Sequence, residues 1–138
     1  MKLNTEIAGI IYPIMQNNFT ILMTRTNPVY VKFITHTKSK KPTKLQKENY
    51  LLFYLSKNDK SIIGYSKIQK ISFEQPHDIL NNFINRIQMN ECEFSAYIQG
   101  RKSKQLIVLE LEKIYKLKKR VIISFPMTMA GRYVSKEQ

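Results

Sequence analysis

Apolar residues along the chain recur with two periods, one typical of strands and one typical of helices. Short segments rich in β-branched and aromatic residues, bounded by proline, asparagine or charged residues, favour strands. Pro13 and Pro126 are expected to end the first and the last of these strands, because proline interrupts a sheet ladder. The predicted strands cover residues 6–12, 29–34, 50–55, 61–71, 106–111 and 121–125. The basic residues 116–120 are interpreted as a connection before the last strand.

Helical spacing is found at residues 19–23, 79–87 and 94–98. Asn17 or Asn18 is expected to cap the first helix. Pro76 opens the second at a first-turn position, where its missing N–H costs nothing. Asn90 followed by Glu93 predicts a capping box for the third.

The predicted strands do not alternate one for one with long helices. This order indicates an α+β fold with a mixed or antiparallel sheet and argues against a doubly wound parallel sheet. We expect five to six strands, curled into a barrel and flanked by short helices. Residues 1–138 have the length of one ordinary domain and contain no evident linker or repeat.

Composition adds a strong positive charge to this picture. Twenty-three Lys and Arg against ten Asp and Glu give a net charge of +13, with a pI near 9.9. Such a field attracts polyanions. Nucleic acid is the commonest polyanionic partner, although an anionic membrane or an acidic protein would also satisfy the charge. Abundant Lys, Ile and Asn are also what a biased source genome would produce.

Several classes of protein are disfavoured by the sequence. No apolar run reaches the length of a membrane-spanning helix, and the polar first residues do not look like a secretory signal. Cys92 is the single cysteine, which excludes an internal disulfide and a cysteine cluster for metal. A reducing cytoplasm is therefore the expected location.

The sequence offers no recognisable catalytic or cofactor motif. Its four glycines form no phosphate-binding loop. His36 and His77 have no metal-like spacing to each other or to Cys92. No Ser/His/Asp arrangement can be assembled, so we expect no cofactor and no metal, and we name no catalytic residue.

The strand at residues 29–34 contains the strongest candidate for a binding site. Val29, Val31 and Phe33 share one face, which we expect to point into the core. Tyr30 and Lys32 share the other face, where the ring could stack on a base and the ammonium could pair with a phosphate. The alternative is an exposed strand face with a lysine that only reaches into solvent.

Other cations lie in clusters that could follow a nucleic-acid backbone. They occupy the lysine-rich loop after this strand, the turn after the third helix, and the C-terminal tail, and each could equally be a solvated surface. Arginine is the better phosphate ligand because it is planar and bidentate. The candidate nucleic-acid-binding residues are Arg25, Tyr30, Lys32, Lys40, Lys41, Lys44, Arg101, Lys102, Arg132 and Tyr133.

Five segments together resemble a known family. They are RTNPVYVK at 25–32, LFY at 52–54, IIGYSKI at 62–68, YIQGRK at 97–102 and MTMAGRY at 127–133. The chain is similar to a family of small archaeal proteins of unassigned function with the PUA-like fold. That superfamily also contains the ASCH and EVE domains. The resemblance implies a β pseudo-barrel with a cleft between barrel and first helix, in which members bind RNA or modified bases.

The resemblance departs from the ASCH pattern G-x-K-x-x-E-x-R. With Lys32 at its last position, the glycine falls on Arg25, the lysine on Asn27 and the glutamate on Tyr30. Some ASCH-like enzymes deacylate modified cytidine with that lysine and glutamate as acid and base. Asn27 does not titrate and tyrosine has a pKa near 10, so neither suits this proton transfer.

These observations favour a non-catalytic module that binds RNA or a modified nucleotide in a basic cleft. The first alternative is a small hydrolase that acts on a modified nucleoside. A third hypothesis is an interaction domain for an acidic protein.

Overall fold

The computed structural model describes residues 7–34, 45–55, 60–123 and 131–135. Within these ranges it contains seven strands and three short helices, which confirms the α+β class and corrects the expected five to six strands. The elements are β1 Ile7–Ile14, α1 Gln16–Met23, β2 Val29–Phe33, β3 Tyr50–Leu55, β4 Ser61–Glu74, α2 Pro76–Asn82, α3 Glu91–Ile98, β5 Leu106–Leu111, β6 Tyr115–Ile122 and β7 Arg132–Ser135. No helix in these ranges is long and apolar enough to cross a membrane.

The strands form one mixed sheet in the order β2-β5-β4-β3-β1-β7, with β6 beside β4. Strands β1 and β3 are parallel, and the other pairs are antiparallel. The long strand β4 pairs with β3 and β6 along its first half and with β5 along its second half, so it links the two ends of the sheet. In the described part of the chain β2 and β7 do not pair, and the sheet is curled but not closed.

Two hydrophobic layers lie on the two faces of this curled sheet. The interior holds large side chains from every central strand, among them Phe53 of β3 and Leu109 of β5. The second layer packs α2 and α3, through Ile79 and Phe94, against β2 and β5. Strand β2 is therefore covered on both faces.

This double coverage corrects the expected exposure of one face of β2. Val29 and Val31 pack against the helices, whereas Tyr30 belongs to the interior and is only 3% exposed. The alternation of side chains along β2 predicts one face in the core and the other in solvent. In the fold it separates two cores, because both helices and barrel lie against this strand.

Two local signals in the sequence are confirmed. Pro76 stands at the start of α2. The Asn90 side chain accepts a hydrogen bond from the Glu93 N–H at 2.8 Å, and the Glu93 side chain accepts one from the Asn90 N–H at 3.1 Å. This reciprocal capping box begins α3.

Other boundaries differ from expectation. Strand β1 continues through Pro13 to Ile14, beyond the stretch Ile7–Ile11 that pairs with β7. Proline is tolerated there because only β3 flanks it in the described sheet. Met15, not Asn17 or Asn18, is the N-cap of α1.

The other two differences concern the second helix and the sixth strand. Helix α2 ends at Asn82, whereas helical spacing was expected as far as residue 87. The chain leaves the helix after Asn82, and Ile87 forms an isolated parallel bridge with Val29. Residues 116–120 lie within β6 rather than in a connection.

Candidate functional site

A cleft of about 170 Å³ lies where the end of β1 meets α1, β2 and α3. It opens at the unclosed side of the sheet, between the barrel and the first helix. Its lining consists of Pro13, Ile14, Met15, Asn18, Tyr30, Lys32, Gln88, Met89 and Tyr97. The expected cleft therefore has a counterpart, and both Tyr30 and Lys32 border it.

The Tyr30 ring lines the cleft and packs against the ring of Tyr12, which is not part of the lining. Tyr12 and Tyr30 stack with ring centroids 5.6 Å apart and planes at 17°. The Tyr30 hydroxyl donates a hydrogen bond to the Pro13 carbonyl oxygen at 2.8 Å. Burial raises the pKa of both phenols, with neighbouring tyrosines adding to the effect. Tyr30 is thus covered on one face by Tyr12 and held through its hydroxyl, so its ring is not the open stacking platform expected.

The outward edge of β2 is closed by groups from later in the chain. Its N–H groups at Val29, Val31 and Phe33 donate, in turn, to the Arg86 carbonyl oxygen at 2.8 Å, the Gln88 Oε1 at 3.1 Å and the Tyr97 hydroxyl at 3.2 Å. An edge strand with open donors would attract another chain. Here each of these donors has a partner, and two of those partners line the cleft.

Gln88 is the most deeply placed polar side chain of the lining, at 5% exposed. It accepts from the Val31 N–H and donates from Nε2 to the Val31 carbonyl oxygen at 2.7 Å. One side chain thus does what a neighbouring strand would do, and this holds residues 87–89 against β2. No sequence pattern marked Gln88, because an isolated glutamine between apolar residues resembles any surface amide.

Lys32 is half-buried at the cleft, with its Nζ 5.8 Å from the centroid of the Tyr12 ring. Burial lowers the pKa of Lys32, and the positive charge of Arg101 lowers it further. The Arg101 guanidinium lies over the rings of Phe33 and Tyr97, at 4.2 and 4.9 Å from their centroids. It also donates to the Tyr97 carbonyl oxygen at 2.7 Å. Lys32 and Arg101 form a pair of neighbouring cations, which we call the cation pair.

Among the described residues no carboxylate neutralises the cation pair. The ion pairs in these ranges join Lys67 to Glu48, His77 to Asp78 and Arg86 to Glu110. Two like charges in a partly dehydrated place disfavour each other. An anion bound between them would remove this repulsion.

Tyr97 also shapes this rim, although its spacing in the sequence indicated only a core residue. Burial raises its pKa, while the hydrogen bond from Phe33 and the charge of Arg101 oppose that rise. Because its oxygen already accepts from Phe33, its own O–H hydrogen can be donated to a bound group. The Tyr97 and Arg101 spacing of four residues, with the arginine directly after a helix-ending glycine, was the available signal.

The other predicted residues fall in different places. Arg25 donates to the carbonyl oxygens of Ile87 and Met89, at 3.0 and 3.2 Å, and so supports the cleft from behind. Lys102 is exposed beside Arg101. Lys40, Lys41 and Lys44 lie outside the described residues.

The two predicted residues of the C-terminal tail lie on β7. Strand β7 pairs with the first half of β1, and the cleft lies at the other end of β1. Arg132 is exposed and Tyr133 packs against the interior cluster. Neither belongs to the lining of the cleft.

Metal ligands are the last class of site to consider. Within the ranges given above, no group of three or more His, Cys, Asp and Glu side chains could hold a metal ion.

The curled mixed sheet with a cleft beside its first helix defines a PUA-like fold of the ASCH type. A crystal structure of an ASCH variant from Zymomonas mobilis superposes with a TM-score of 0.73 and 11% identity, covering 96% of this chain and 92% of that one. The crystal structure of ASCH from the same organism gives 0.71 and 12%, covering 94% and 90%. At such low identity the likeness establishes the fold.

The family is established by sequence. The chain belongs to the family described as "Domain of unknown function (DUF365)", whose model matches residues 7–136. An uncharacterised protein of Methanocaldococcus jannaschii is 29% identical over 98 residues, which is 64% of this chain and 91% of that protein. The expected resemblance to a family of unassigned function, with an archaeal relative and an ASCH-like fold, is confirmed.

Proposed function

We propose that this protein binds RNA or a nucleotide, with one flat group in the cleft and an adjacent phosphate at the cation pair. The observation that carries the proposal is the cation pair itself. Lys32 lines the cleft, Arg101 lies over the ring of the next residue, Phe33, and is close enough to lower the pKa of Lys32, and neither cation belongs to an ion pair among the described residues. Charge-assisted hydrogen bonds to a phosphate are short and strong, and arginine binds phosphate in a bidentate manner.

The size of the cleft supports a small flat occupant. Its volume of about 170 Å³ is below the roughly 300–1,000 Å³ of pockets that enclose a drug-sized ligand. One base fits this scale better than a whole oligonucleotide. Met15 and Met89 provide apolar walls, and methionine sulfur packs well against flat aromatic groups.

Polar groups around the cleft could read the edge of such a group. The Tyr97 hydroxyl can donate, the Asn18 amide can donate or accept, and the Lys32 ammonium can donate. A base with carbonyl oxygens could accept hydrogen bonds from the Tyr97 hydroxyl and from the Lys32 ammonium. Tyr30 completes the lining, and its hydroxyl hydrogen is not available to a ligand because it is donated to the Pro13 carbonyl oxygen.

The described lining supports binding rather than hydrolysis. None of its nine residues is a carboxylate that could act as the partner of Lys32 in acid–base chemistry. Asn27 stands in the turn before β2 with φ of 53°, and the Tyr30 hydroxyl is fixed on Pro13, so the two positions matched to the ASCH lysine and glutamate offer no substitute.

A binding titration with matched charge variants tests the proposal. Each common ribonucleoside monophosphate would be titrated into wild type, Lys32→Gln, Arg101→Gln and the control Lys118→Gln, an exposed lysine of β6. We expect Lys32→Gln and Arg101→Gln each to weaken binding about ten-fold or more, and Lys118→Gln to change it by less than about two-fold.

Equal affinity of the cleft variants and Lys118→Gln would contradict the proposal. Incubation with acylated nucleosides, followed by mass spectrometry, separates it from the hydrolase alternative. Product that depends on Lys32 would favour the enzyme, and intact substrate that stays bound would favour the binding module.

A further inference from the structure

Three tyrosines form a row on the outer face of the sheet, away from the cleft. Tyr50 of β3, Tyr65 of β4 and Tyr115 of β6 lie on adjacent strands, with ring centroids 6.2 Å apart for the first two and 5.4 Å apart for the last two. Tyr65 lies directly opposite Tyr115 in the ladder. We call these three residues the tyrosine row.

Strand alternation places the tyrosine row outside the barrel. On β3, Leu51 and Phe53 belong to the interior cluster, while Leu52 packs in the separate outer cluster. Tyr50 shares the outer face with Leu52. The cleft is bordered by interior-facing side chains of β1 and β2, so the two surfaces are distinct.

The row is open to solvent and accompanied by lysines. Tyr50 is 40% exposed and Tyr115 is 50% exposed. The Lys67 ammonium lies 5.7 Å from the centroid of Tyr50, and that of Lys113 lies 5.6 Å from the centroid of Tyr115. Exposed apolar residues scattered singly are ordinary, whereas a contiguous patch of them marks an interaction site.

Beside the row runs an apolar trough of about 400 Å³. It is bordered by Tyr50 and Tyr65 and by aliphatic residues of four strands, namely Leu52, Ile62, Leu117 and Val134. A flat apolar group that stacks on the row can extend into this trough. The tyrosine row and the trough beside it therefore form one continuous surface.

We propose that the tyrosine row is a second site, on which consecutive bases of a single-stranded nucleic acid stack. Every base has an aromatic face, so stacking on tyrosine accepts many sequences. Sheet surfaces with aromatic rings are one established way of holding unpaired bases. This site is independent of the cleft and would hold a strand rather than a single nucleotide.

The charges around the row favour nucleic acid over a second copy of the chain. Strand β6 carries four exposed cations, which are Lys116, Lys118, Lys119 and Arg120. On the near side, Glu48 is already engaged with Lys67 at 3.7 Å. Two copies meeting on this face would bring the cations of β6 together, whereas a phosphate backbone complements them.

The test compares a strand with a single nucleotide. A labelled oligouridylate of about twelve nucleotides, within the usual range of strand-binding sites, would be titrated alongside uridine monophosphate. The proteins are wild type, Tyr50→Leu, Tyr115→Leu, Tyr115→Phe, and Ile122→Ser as a control on the same strand, where Ile122 is 79% exposed. Since the tyrosines are half-exposed, these substitutions should leave the fold intact, which thermal unfolding checks.

We expect Tyr50→Leu and Tyr115→Leu each to weaken oligouridylate binding at least about five-fold. Tyr115→Phe and Ile122→Ser should stay within about two-fold of wild type. The phenylalanine variant keeps the aromatic ring, and the serine variant leaves the tyrosine row unchanged. Uridine monophosphate binding should be unchanged in all of them and weakened only in Lys32→Gln and Arg101→Gln.

Three results would overturn the second site. The first is oligouridylate affinity unchanged in both leucine variants. The second is an equal loss in Tyr115→Phe, which would assign the effect to the hydroxyl rather than the ring. The third is a concentration-dependent dimer of the wild-type protein that the leucine variants abolish, which would make this face a protein interface. Loss of strand binding in the tyrosine variants, with no nucleotide binding at the cleft, would support the row and reject the cleft.

Discussion

The Tyr30 hydroxyl and the Pro13 carbonyl oxygen lie 2.8 Å apart and join β2 to β1 across the open side of the sheet. These two strands are far apart in the strand order and do not pair through their main chains. Stacking of Tyr30 on Tyr12 adds a second side-chain link at the same place. Side-chain contacts of Tyr12 and Tyr30 thus bridge the open side of the sheet, where the described strands form no main-chain pairing.

Removing that hydroxyl should loosen the open side of the sheet. Tyr30→Phe leaves the Pro13 carbonyl oxygen without its donor, and we expect a loss of about 1–2 kcal/mol in the free energy of unfolding. Urea titration followed by circular dichroism measures it. Tyr54→Phe is the matched control, since the Tyr54 side chain is also buried and makes no hydrogen bond to another side chain or main-chain group of the described residues. Equal stability of both variants would show that the hydroxyl does not join the strands.

Substitution of Gln88 should destabilise β2 more strongly. Gln88→Leu leaves both the N–H and the carbonyl oxygen of Val31 without partners in a buried place, and we expect a loss of about 2–4 kcal/mol. Gln88→Glu keeps an acceptor for the N–H but places a carboxylate against the carbonyl oxygen, so it should also be destabilised. The exposed Gln69→Leu should change stability by no more than about 0.5 kcal/mol. A Gln88→Leu variant as stable as Gln69→Leu would contradict the bracing role.

The lowered pKa of Lys32 predicts a specific dependence on pH. Burial and then Arg101 lower this pKa from 10.5 in the folded protein. Between the lowered value and 10.5 the unfolded chain binds the proton more strongly, so this residue's contribution to stability rises with pH across that window. Below the window the charged Lys32 destabilises the fold by a constant amount.

Lys32→Met removes this contribution and should be more stable than wild type at neutral pH. The advantage should shrink as the pH rises towards 10.5, as measured by urea unfolding at a series of alkaline pH values. The tyrosines with raised pKa values are present in both proteins, so their ionisation cancels in the comparison. A stability advantage of Lys32→Met that stays constant over the whole pH range would contradict the lowered pKa of Lys32.

Gly9 allows the parallel strands β1 and β3 to approach closely. A Cβ at this position would collide with the main-chain carbonyl oxygen of Tyr50. Gly9→Ala should therefore cost about 1–3 kcal/mol or more, because main chain cannot move aside as a flexible side chain can. At Gly100, φ is 78° and the space around it is open, so Gly100→Ala should cost only about 1 kcal/mol. Thermal unfolding of the two variants side by side tests this order.

Elements with strong local signals could be predicted from the sequence. Strands β3 and β5 have the expected limits, since β3 is a continuous apolar run and β5 is interrupted only by Glu110. The starts of α2 and α3 follow from Pro76 and from the capping box at Asn90, which act within one helical turn. The predicted last strand, 121–125, overlaps only the end of β6, and the rest of β6 was missed because a strand with four exposed cations lacks the apolar alternation that identifies strands.

The cleft could be predicted only in part. Lys32 could be singled out because a charged residue within an apolar strand is recognisable in the sequence itself. The burial of Tyr30 was not, because it depends on β1 lying across from β2 in the folded chain. Gln88 and Tyr97 come from segments whose own patterns indicate only turns and core, and their partners on β2 are more than fifty residues away in sequence.

Strand β1 obtains its second neighbour from Arg132–Ser135, so its two sides are filled at very different times during synthesis. A chain still on the ribosome carries β1 with one edge bare until residues 132–135 emerge, and a bare edge is where strands of other molecules attach. Shortened products that end before β7 are therefore expected to aggregate.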